Sequence, residues 1–166
     1  MIVNIENLID AKFDFDYVEI AKAVCSTVLK QENCPFDCEI NITITDNSEI
    51  QEINNNTRNI NKPTDVLSFP NLFFDKPALF EINEEELSDY LNPENNLIML
   101  GDIILSYDKI IEQSEEYGHS VLREYAFLIA HSMLHLSGFD HMEDDEAKIM
   151  EEHQKLVMNT LQIGRE

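Results

Sequence analysis

The amino-acid sequence predicts an α+β fold, a single domain in which a small mixed β-sheet is covered by about five helices. The chain has 166 residues, which is enough to bury one hydrophobic core without help from disulfides. Strand and helix patterns alternate in its first part, whereas helical periodicity dominates from Ser106 onward. Because no repeat or linker interrupts the pattern, we expect one domain over residues 1–166.

The N-terminal part alternates strands and helices. Residues Ile2–Ile5 alternate apolar and polar side chains and predict a short strand. Apolar residues at helical spacing predict a helix from about Asp16 to Lys30. Cys38–Thr45, β-branched in its second half, predicts a strand, and Asp46 is suited to cap a short helix that ends near Asn56.

Two further strands flank an acidic segment. Asp65–Phe69, closed by Pro70, and Leu97–Leu105 have the length and apolar content of strands. Between them, residues 71–96 carry three consecutive glutamates and few side chains that could face a core. We therefore expect an acidic surface insertion at about 71–96, with room for one short helix.

The C-terminal part is helical. One helix runs from Ser106 to about Tyr117, where Gly118 ends it. The next, from about Ser120 to Leu136, is apolar on most sides and should be the buried central helix. A last helix spans about Asp144–Leu161, and its acidic first turn suits the helix dipole.

Acidic residues dominate the charge of the chain. Eleven lysines and arginines stand against 33 aspartates and glutamates, which gives a formal net charge of −22. Such a surface repels phosphate at long range. Any contact with a nucleic acid must therefore come from a few local cations or a metal, because the broad basic face of most nucleic-acid binders is missing.

The first residues and the cysteines indicate the compartment. Met1–Tyr17 carries four acidic residues and lacks the basic and apolar regions of a signal peptide. No stretch approaches the roughly 18 apolar residues of a membrane span. Three cysteines, among them Cys34 and Cys38 without a second pair, predict unpaired thiols in a reducing environment. We expect a cytoplasmic protein with no membrane partner.

Three of the five histidines form a candidate metal site at the end of the central helix. His131 and His135 are four residues apart and share one helix face. Gly138 can end the helix and reverse the chain, which would bring His141 back towards them. Three imidazoles and one open position are typical of catalytic zinc sites, so we expect one zinc ion per chain. Nickel, copper and iron also accept imidazole ligands, so the spacing does not fix the metal.

The remaining two histidines carry no such pattern. His119 is expected to be an ordinary loop residue, and His153 an ordinary residue on a helix surface.

The same histidine spacing occurs in metzincin proteases, where a glutamate follows the first histidine as general base. Here that position holds Ser132, which cannot remove a proton near neutral pH. Peptide hydrolysis by that mechanism is therefore not expected.

A short cationic block precedes the third predicted strand. Arg58 offers a planar fork of donors that suits phosphate, and Lys62 is a second nearby cation. If this block folds beside the histidines, Arg58 would be a catalytic residue that stabilises charge on a phosphate, and Lys62 a candidate substrate-binding residue.

Three blocks of residues follow one another along the chain: Asn61-Lys-Pro-Thr-Asp-Val-Leu-Ser-Phe-Pro70, Leu100-Gly-Asp-Ile103, and the run from His131 to His141. In order and spacing they resemble the YbeY family of bacterial rRNA maturation factors, and the resemblance covers nearly the whole chain. The chain departs from the family at Ser132, often glycine, at Phe139, usually tyrosine, and in a longer acidic insertion.

The resemblance implies a cytoplasmic, single-strand-specific, metal-dependent endoribonuclease. Its implied roles are maturation of the small-subunit rRNA 3′ end and ribosome quality control. The implied partners are single-stranded or ribosomal RNA and the small ribosomal subunit with its proteins, and not DNA. The three zinc ligands of the family fall on His131, His135 and His141, and its functionally important arginine falls on Arg58.

Three functions remain open from the sequence. The first is the zinc-dependent endoribonuclease, for which Asp140 and Asp102 are the candidate general bases. The second is a non-catalytic assembly factor, in which the metal only stabilises the helix end and the acidic surface meets basic ribosomal proteins. The third is a metallopeptidase, which would need a base in place of the missing glutamate.

Overall fold

The computed structural model describes residues 1–164, so the last two residues of the predicted domain lie outside the described part. It has an α+β architecture in which helices pack on a mixed four-stranded sheet. The elements in chain order are β1 (Ile2–Asn7), α1 (Tyr17–Gln31), β2 (Cys38–Thr45), α2 (Asn47–Arg58), β3 (Val66–Pro70), α3 (Leu87–Tyr90), β4 (Ile98–Ser106), α4 (Tyr107–Tyr117), α5 (Val121–Leu136) and α6 (Asp144–Thr160).

The sheet has the strand order β1-β2-β4-β3, and β3 is its single antiparallel member within residues 1–164. Alternation along β2 separates two faces, because successive side chains of a strand point to opposite sides. Ile40, Ile42 and Ile44 are buried in the core, whereas Asn41 is exposed. The strand predicted over Cys38–Thr45 is therefore confirmed, and this face of the sheet is apolar.

Helix α5 is the buried central helix that the sequence predicts. It packs against α1, α4, α6 and β3, and ten of its sixteen residues are buried. The side chains of Asp16, Asp46, Ser106 and Ser120 each accept a hydrogen bond from a backbone N–H in the first turn of a helix. These caps place the starts of α1, α2, α4 and α5 within a residue or two of their predicted positions.

The segment between β3 and β4 contributes more to the core than its acidic composition suggests. Leu72 is buried, and the further apolar side chains of the segment that pack on the core are Phe74, Ala78, Phe80, Ile82, Leu87, Tyr90 and Leu91. The expectation that few of its residues face a core is therefore wrong. The segment also contains α3, so residues 1–164 form six helices where about five were expected. This packing could not be predicted, because the apolar residues of the segment are irregularly spaced among acidic ones and show neither helix nor strand periodicity.

No helix within residues 1–164 is both long enough and apolar enough to cross a bilayer. The three cysteines are free thiols, as predicted. Cys34 and Cys38 lie close together, with 3.8 Å between their Sγ atoms.

Candidate metal centre

The end of helix α5 positions the three histidines. Gly138 N–H donates to the His135 carbonyl, and Phe139 N–H donates to the Leu134 carbonyl, which is the hydrogen-bond pattern of a Schellman cap. Gly138 has φ +93, and a Cβ atom there would lie 2.5 Å from the Phe74 ring, so glycine is required for both conformation and space. The reversal returns His141 to the helix face that carries His131 and His135.

The three imidazole rings converge as predicted. One ring nitrogen of each histidine lies within 4.8 Å of the others, and this group could hold a metal ion. The ring centroids of His131 and His135 are 4.7 Å apart, and those of His135 and His141 are 5.0 Å apart. His131 and His135 are partly buried, whereas His141 is exposed. The site is thus anchored in the protein on one side and open to solvent on the other.

Hydrogen bonds fix which nitrogen of each buried ring is available. His135 Nδ1 lies 2.9 Å from the Phe139 carbonyl, which can only accept, so this nitrogen carries the proton. Gln154 Nε2 donates to the Phe127 carbonyl, and this orients Gln154 Oε1 to accept from His131 Nδ1 at 3.4 Å. Both rings therefore present the lone pair of Nε2 towards the centre of the site.

This arrangement fits a metal ion. The Nε2 atoms of His131 and His135 lie 3.1 Å apart. Two lone pairs at that separation repel unless a cation lies between them. Tetrahedral zinc with Zn–N bonds of 2.0–2.1 Å would place two ligand nitrogens about 3.3 Å apart, close to the observed separation.

The ionisation of the two helix histidines also suits metal binding. Burial lowers the pKa of His135 to about 4, and the neighbouring His131 adds to the effect. Burial is also the main cause of a lowered pKa at His131. Both rings are therefore neutral at neutral pH, which is the state in which imidazole binds metals.

A cleft of about 390 Å³ opens beside the histidines and includes Arg58 in its walls. Arg58 is the last residue of α2, and Asn59 ends this helix in the left-handed conformation with φ 60. The buried Asn54 donates to the Lys62 carbonyl and holds the following loop against the helix. The described residues that line the cleft are Arg58, Thr64, Asp65, Val66, Leu67, Ser68, Pro70, His131, His135, Asp140, His141 and Met142.

Of the other predicted site residues, Asp140 lines the cleft, whereas Asp102 and Lys62 do not. Asp140 lines the cleft, but Asp102 lies on the exposed sheet face, where its carboxylate accepts from Asn41. Asp102 is therefore a wrong candidate for the general base. Lys62 is exposed and is absent from the cleft walls formed by residues 1–164, so its role in substrate binding stays a prediction.

The two isolated histidines, His119 and His153, each lie beside a glutamate carboxylate, which was not expected. His119 does lie in the loop between α4 and α5, but its Nε2 is 3.6 Å from a carboxylate oxygen of Glu124. His153 is partly buried, its Nδ1 lies 2.8 Å from Glu32, and its ring packs on Phe139. The expectation of an ordinary surface position is wrong for His153, because Glu32 and Phe139 come from distant parts of the chain.

Three side chains of the site were missed from the sequence. Asp65 and Ser68 line the cleft, and Gln154 orients His131 from α6. Asp65 is held by the Val66 N–H and by Gln113, and Ser68 contacts Ser132 through their hydroxyls. Asp65 and Ser68 lie in the block that follows Arg58, which was the available signal. Gln154 gave none, since only the fold brings α6 beside α5.

Comparison with known proteins places the chain in a family. The family model described as Endoribonuclease YbeY matches residues 4–162. A protein of that name from Agathobacter rectalis is 52% identical, over 97% of this chain and 98% of its own. Another, from Lachnoclostridium phytofermentans, is 47% identical over 99% of this chain and 100% of its own. A solution structure from Thermotoga maritima shares the fold, with a TM-score of 0.57 and 24% identity over 97% of this chain and 92% of that one. The chain therefore belongs to the YbeY endoribonuclease family.

Proposed function

We propose that this protein is a zinc-dependent endoribonuclease that cleaves single-stranded RNA. The observation that carries the proposal is one cleft in which Arg58 and the three convergent histidines share the walls. Family membership supports the reaction class, since the curated relatives are named endoribonucleases. The neutral imidazoles and their fixed Nε2 lone pairs support one metal ion bound by His131, His135 and His141.

The residues of the chain then have distinct roles. A zinc ion bound by the histidines would supply a Lewis acid at the scissile phosphate. Arg58 would donate through its planar guanidinium to phosphate oxygens and stabilise the charge that builds there during cleavage. Asp140 and Asp65 are the carboxylates that line the cleft and could accept the proton of the attacking hydroxyl or water.

Ser132 has a structural role in this proposal. It is fully buried on α5, and its hydroxyl contacts Ser68 of β3. Because this hydroxyl contacts the strand, the position supplies no general base for a metallopeptidase.

We further propose that the substrate is ribosomal RNA, in maturation of the small-subunit 3′ end and in ribosome quality control in the cytoplasm. The acidic surface supports contacts with the basic proteins of the small subunit, because opposite charges steer their encounter. The predicted acidic surface insertion at 71–96 would contribute to this surface, since it carries Glu84, Glu85 and Glu86 at exposed positions.

The net charge of −22 favours one competing function, a non-catalytic assembly factor. In that case the metal site would only stabilise the end of α5, and Arg58 would have no catalytic role. The two functions differ in what loss of Arg58 does.

The test is cleavage of a labelled single-stranded RNA by zinc-loaded wild-type protein and by the Arg58→Ala variant, purified identically. We expect cleavage by the wild type and a loss of about 100-fold or more in the variant, as for the removal of other transition-state donors. The Lys22→Ala variant, which removes a cation from α1, is the control and should cleave like the wild type. Equal cleavage by wild type and Arg58→Ala, or no cleavage by either, would contradict the proposal.

A further inference from the structure

A second groove continues from the metal centre, away from Arg58. His131 and His141 line both the Arg58 cleft and a neighbouring cleft of about 410 Å³ between α5 and α6. That cleft shares Phe127, Glu151 and Gln154 with a third one of about 580 Å³ further along the same helix pair. The two clefts between α5 and α6 lie side by side and are here together called the α5–α6 groove, which reaches His131 and His141 at one end.

The floor of the α5–α6 groove follows a regular line on α5. Arg123, Phe127 and His131 are each four residues apart, so their side chains lie one above the other on one helix face. From Arg123 to His131 this line is about 12 Å long at 1.5 Å per residue. At 3.4 Å per stacked nucleotide it offers room for about three nucleotides.

The chemistry of the groove suits a nucleic-acid strand. Phe127 is partly exposed, and the Arg123 guanidinium lies 5.9 Å from the centre of its ring. Partly exposed aromatic rings stack on bases of any sequence, provided that the bases are unpaired. Lys155 on α6 is exposed on the groove wall, where it can contact phosphate.

The cations of the groove are notable because the chain has few. Lysine and arginine together number 11 in 166 residues, yet Arg123 and Lys155 both lie in the walls of this one groove. Glu151 also lies there and opposes phosphate binding, so the groove has local rather than uniform positive charge.

From this geometry we propose that the α5–α6 groove binds the single-stranded RNA on one side of the scissile phosphate, with Phe127 stacking on a base and Lys155 contacting a phosphate. The inference rests on the proposed RNA substrate. It explains how so acidic a protein holds RNA, because the strand passes from Arg58 over the histidines to the second cationic end of the groove. Paired RNA would have no free base face for Phe127, so the groove selects single strands.

The test is binding of a fluorescent single-stranded RNA of about eight nucleotides, measured by anisotropy in a series of salt concentrations. The RNA carries 2′-O-methyl groups and phosphorothioate linkages, so that it resists cleavage by attack of either a ribose 2′-hydroxyl or water. The zinc-loaded variants are Lys155→Ala, Phe127→Leu and Glu151→Gln, with Lys22→Ala as the matched control outside the groove. Circular dichroism and thermal unfolding show whether each variant is folded.

We expect Lys155→Ala to weaken binding several-fold and to reduce the slope of log K against log salt by about 0.7, the value for one phosphate contact to a single strand. Phe127→Leu keeps the apolar packing but loses the stacking face, so binding should weaken by about 5-fold or more. Glu151→Gln should tighten binding. Lys22→Ala should bind like the wild type. For a dinucleotide that reaches only the metal centre, the three groove variants should bind with the same affinity as the wild type.

Two outcomes would overturn the inference, and they differ in whether the proposed function also fails. If wild type cleaves RNA but folded Lys155→Ala and Phe127→Leu bind with unchanged affinity and salt slope, the groove is wrong and the proposed function stands. If wild type neither binds nor cleaves RNA, both the groove and the proposed function fail.

Discussion

At the scale of single residues, the candidate metal centre depends on which nitrogen of each imidazole carries a proton. The Phe139 carbonyl and the Gln154 amide oxygen accept from Nδ1 of His135 and His131, and both therefore expose Nε2. Such partners of ligating histidines raise metal affinity because they hold the ring orientation. The convergence of the three histidines could be predicted from spacing alone. These two partners could not, since a backbone carbonyl and a residue on another helix leave no local pattern.

Loss of one ligand should remove the metal. The His135→Ala variant leaves two imidazoles, so we expect its zinc content to fall from about one equivalent to well below half, measured by elemental analysis after dialysis. His119→Ala is the control, because its ring lies beside Glu124 in the loop before α5, away from the three-histidine group. A full equivalent of zinc in His135→Ala would refute the three-histidine site.

Loss of the Gln154 amide should weaken the metal without removing it. Gln154→Leu has a similar volume but cannot accept from His131 Nδ1, so we expect zinc affinity to fall by about 10- to 100-fold in competition with a chelator. Gln154→Glu keeps an acceptor and should retain most of the affinity. Equal affinity in the wild type and Gln154→Leu would show that Gln154 does not orient the ligand.

The stability of the metal-free protein should depend on pH through the same ring. His135 has a pKa of about 4 in the folded protein and an ordinary value of 6.5, so between these values the unfolded chain binds more protons. The free energy of unfolding should therefore decrease as pH falls from about 6.5 to about 4. Urea unfolding at several pH values checks this, and His135→Asn should show a shallower decrease. An identical pH dependence in wild type and His135→Asn would contradict the assignment.

At the scale of elements, the cap of α5 couples the loop that carries His141 to the segment between β3 and β4. Gly138 contacts the Phe74 ring, and the Ala78 N–H donates to the Ser137 carbonyl. The sequence predicted the helix end from Gly138, and most strands and helices lie where their periodicity placed them. It did not predict the packing of this segment, because Phe80 packs on Phe36 and Phe74 lies against Gly138, both far away in the sequence.

Substitution of Gly138 should therefore destabilise the protein more than substitution of another cap glycine. Gly138→Ala combines φ +93 with a Cβ clash against Phe74, and we expect a loss of about 1–3 kcal/mol in the free energy of unfolding. Gly118→Ala also has a positive φ, of 67, but its Cβ would meet no atom of residues 1–164 within 4 Å. Its loss should be smaller, and urea unfolding of both variants measures the difference. Equal losses would show that the Phe74 contact does not constrain the loop.

At the scale of the whole molecule, the net negative charge conflicts with the proposed RNA binding only if that binding needs a broad basic surface. The chain carries −22, yet Arg58 lies in one cleft of the metal centre, and Arg123 and Lys155 lie in the groove that continues from it. The excess of acidic residues can be counted from the sequence. The grouping of these cations could not be predicted from it, because they come from α2, α5 and α6. Few phosphate contacts in a repelling field should give a weak dependence of affinity on salt.

The salt dependence of RNA binding should therefore be shallow. Two cations that contact phosphate, Arg58 and Lys155, predict a slope of about −1.4 for log K against log salt, at about 0.7 per contact for a single strand. Anisotropy titrations of the wild type between low and moderate salt measure the slope, and Arg58→Ala should reduce it by about 0.7. A slope near −5 would require a basic surface that residues 1–164 do not form.

The measurement that most directly tests the central claim is a zinc titration of RNA cleavage. Wild-type protein is stripped with a chelator and zinc is added back stepwise, while cleavage of a labelled single-stranded RNA and bound zinc are followed together, with His135→Ala as the parallel sample. We expect cleavage to be absent from the stripped protein, to rise to a plateau at one equivalent, and to stay near zero in His135→Ala. Cleavage that persists without metal, or that is restored equally in His135→Ala, would contradict a nuclease built on His131, His135 and His141.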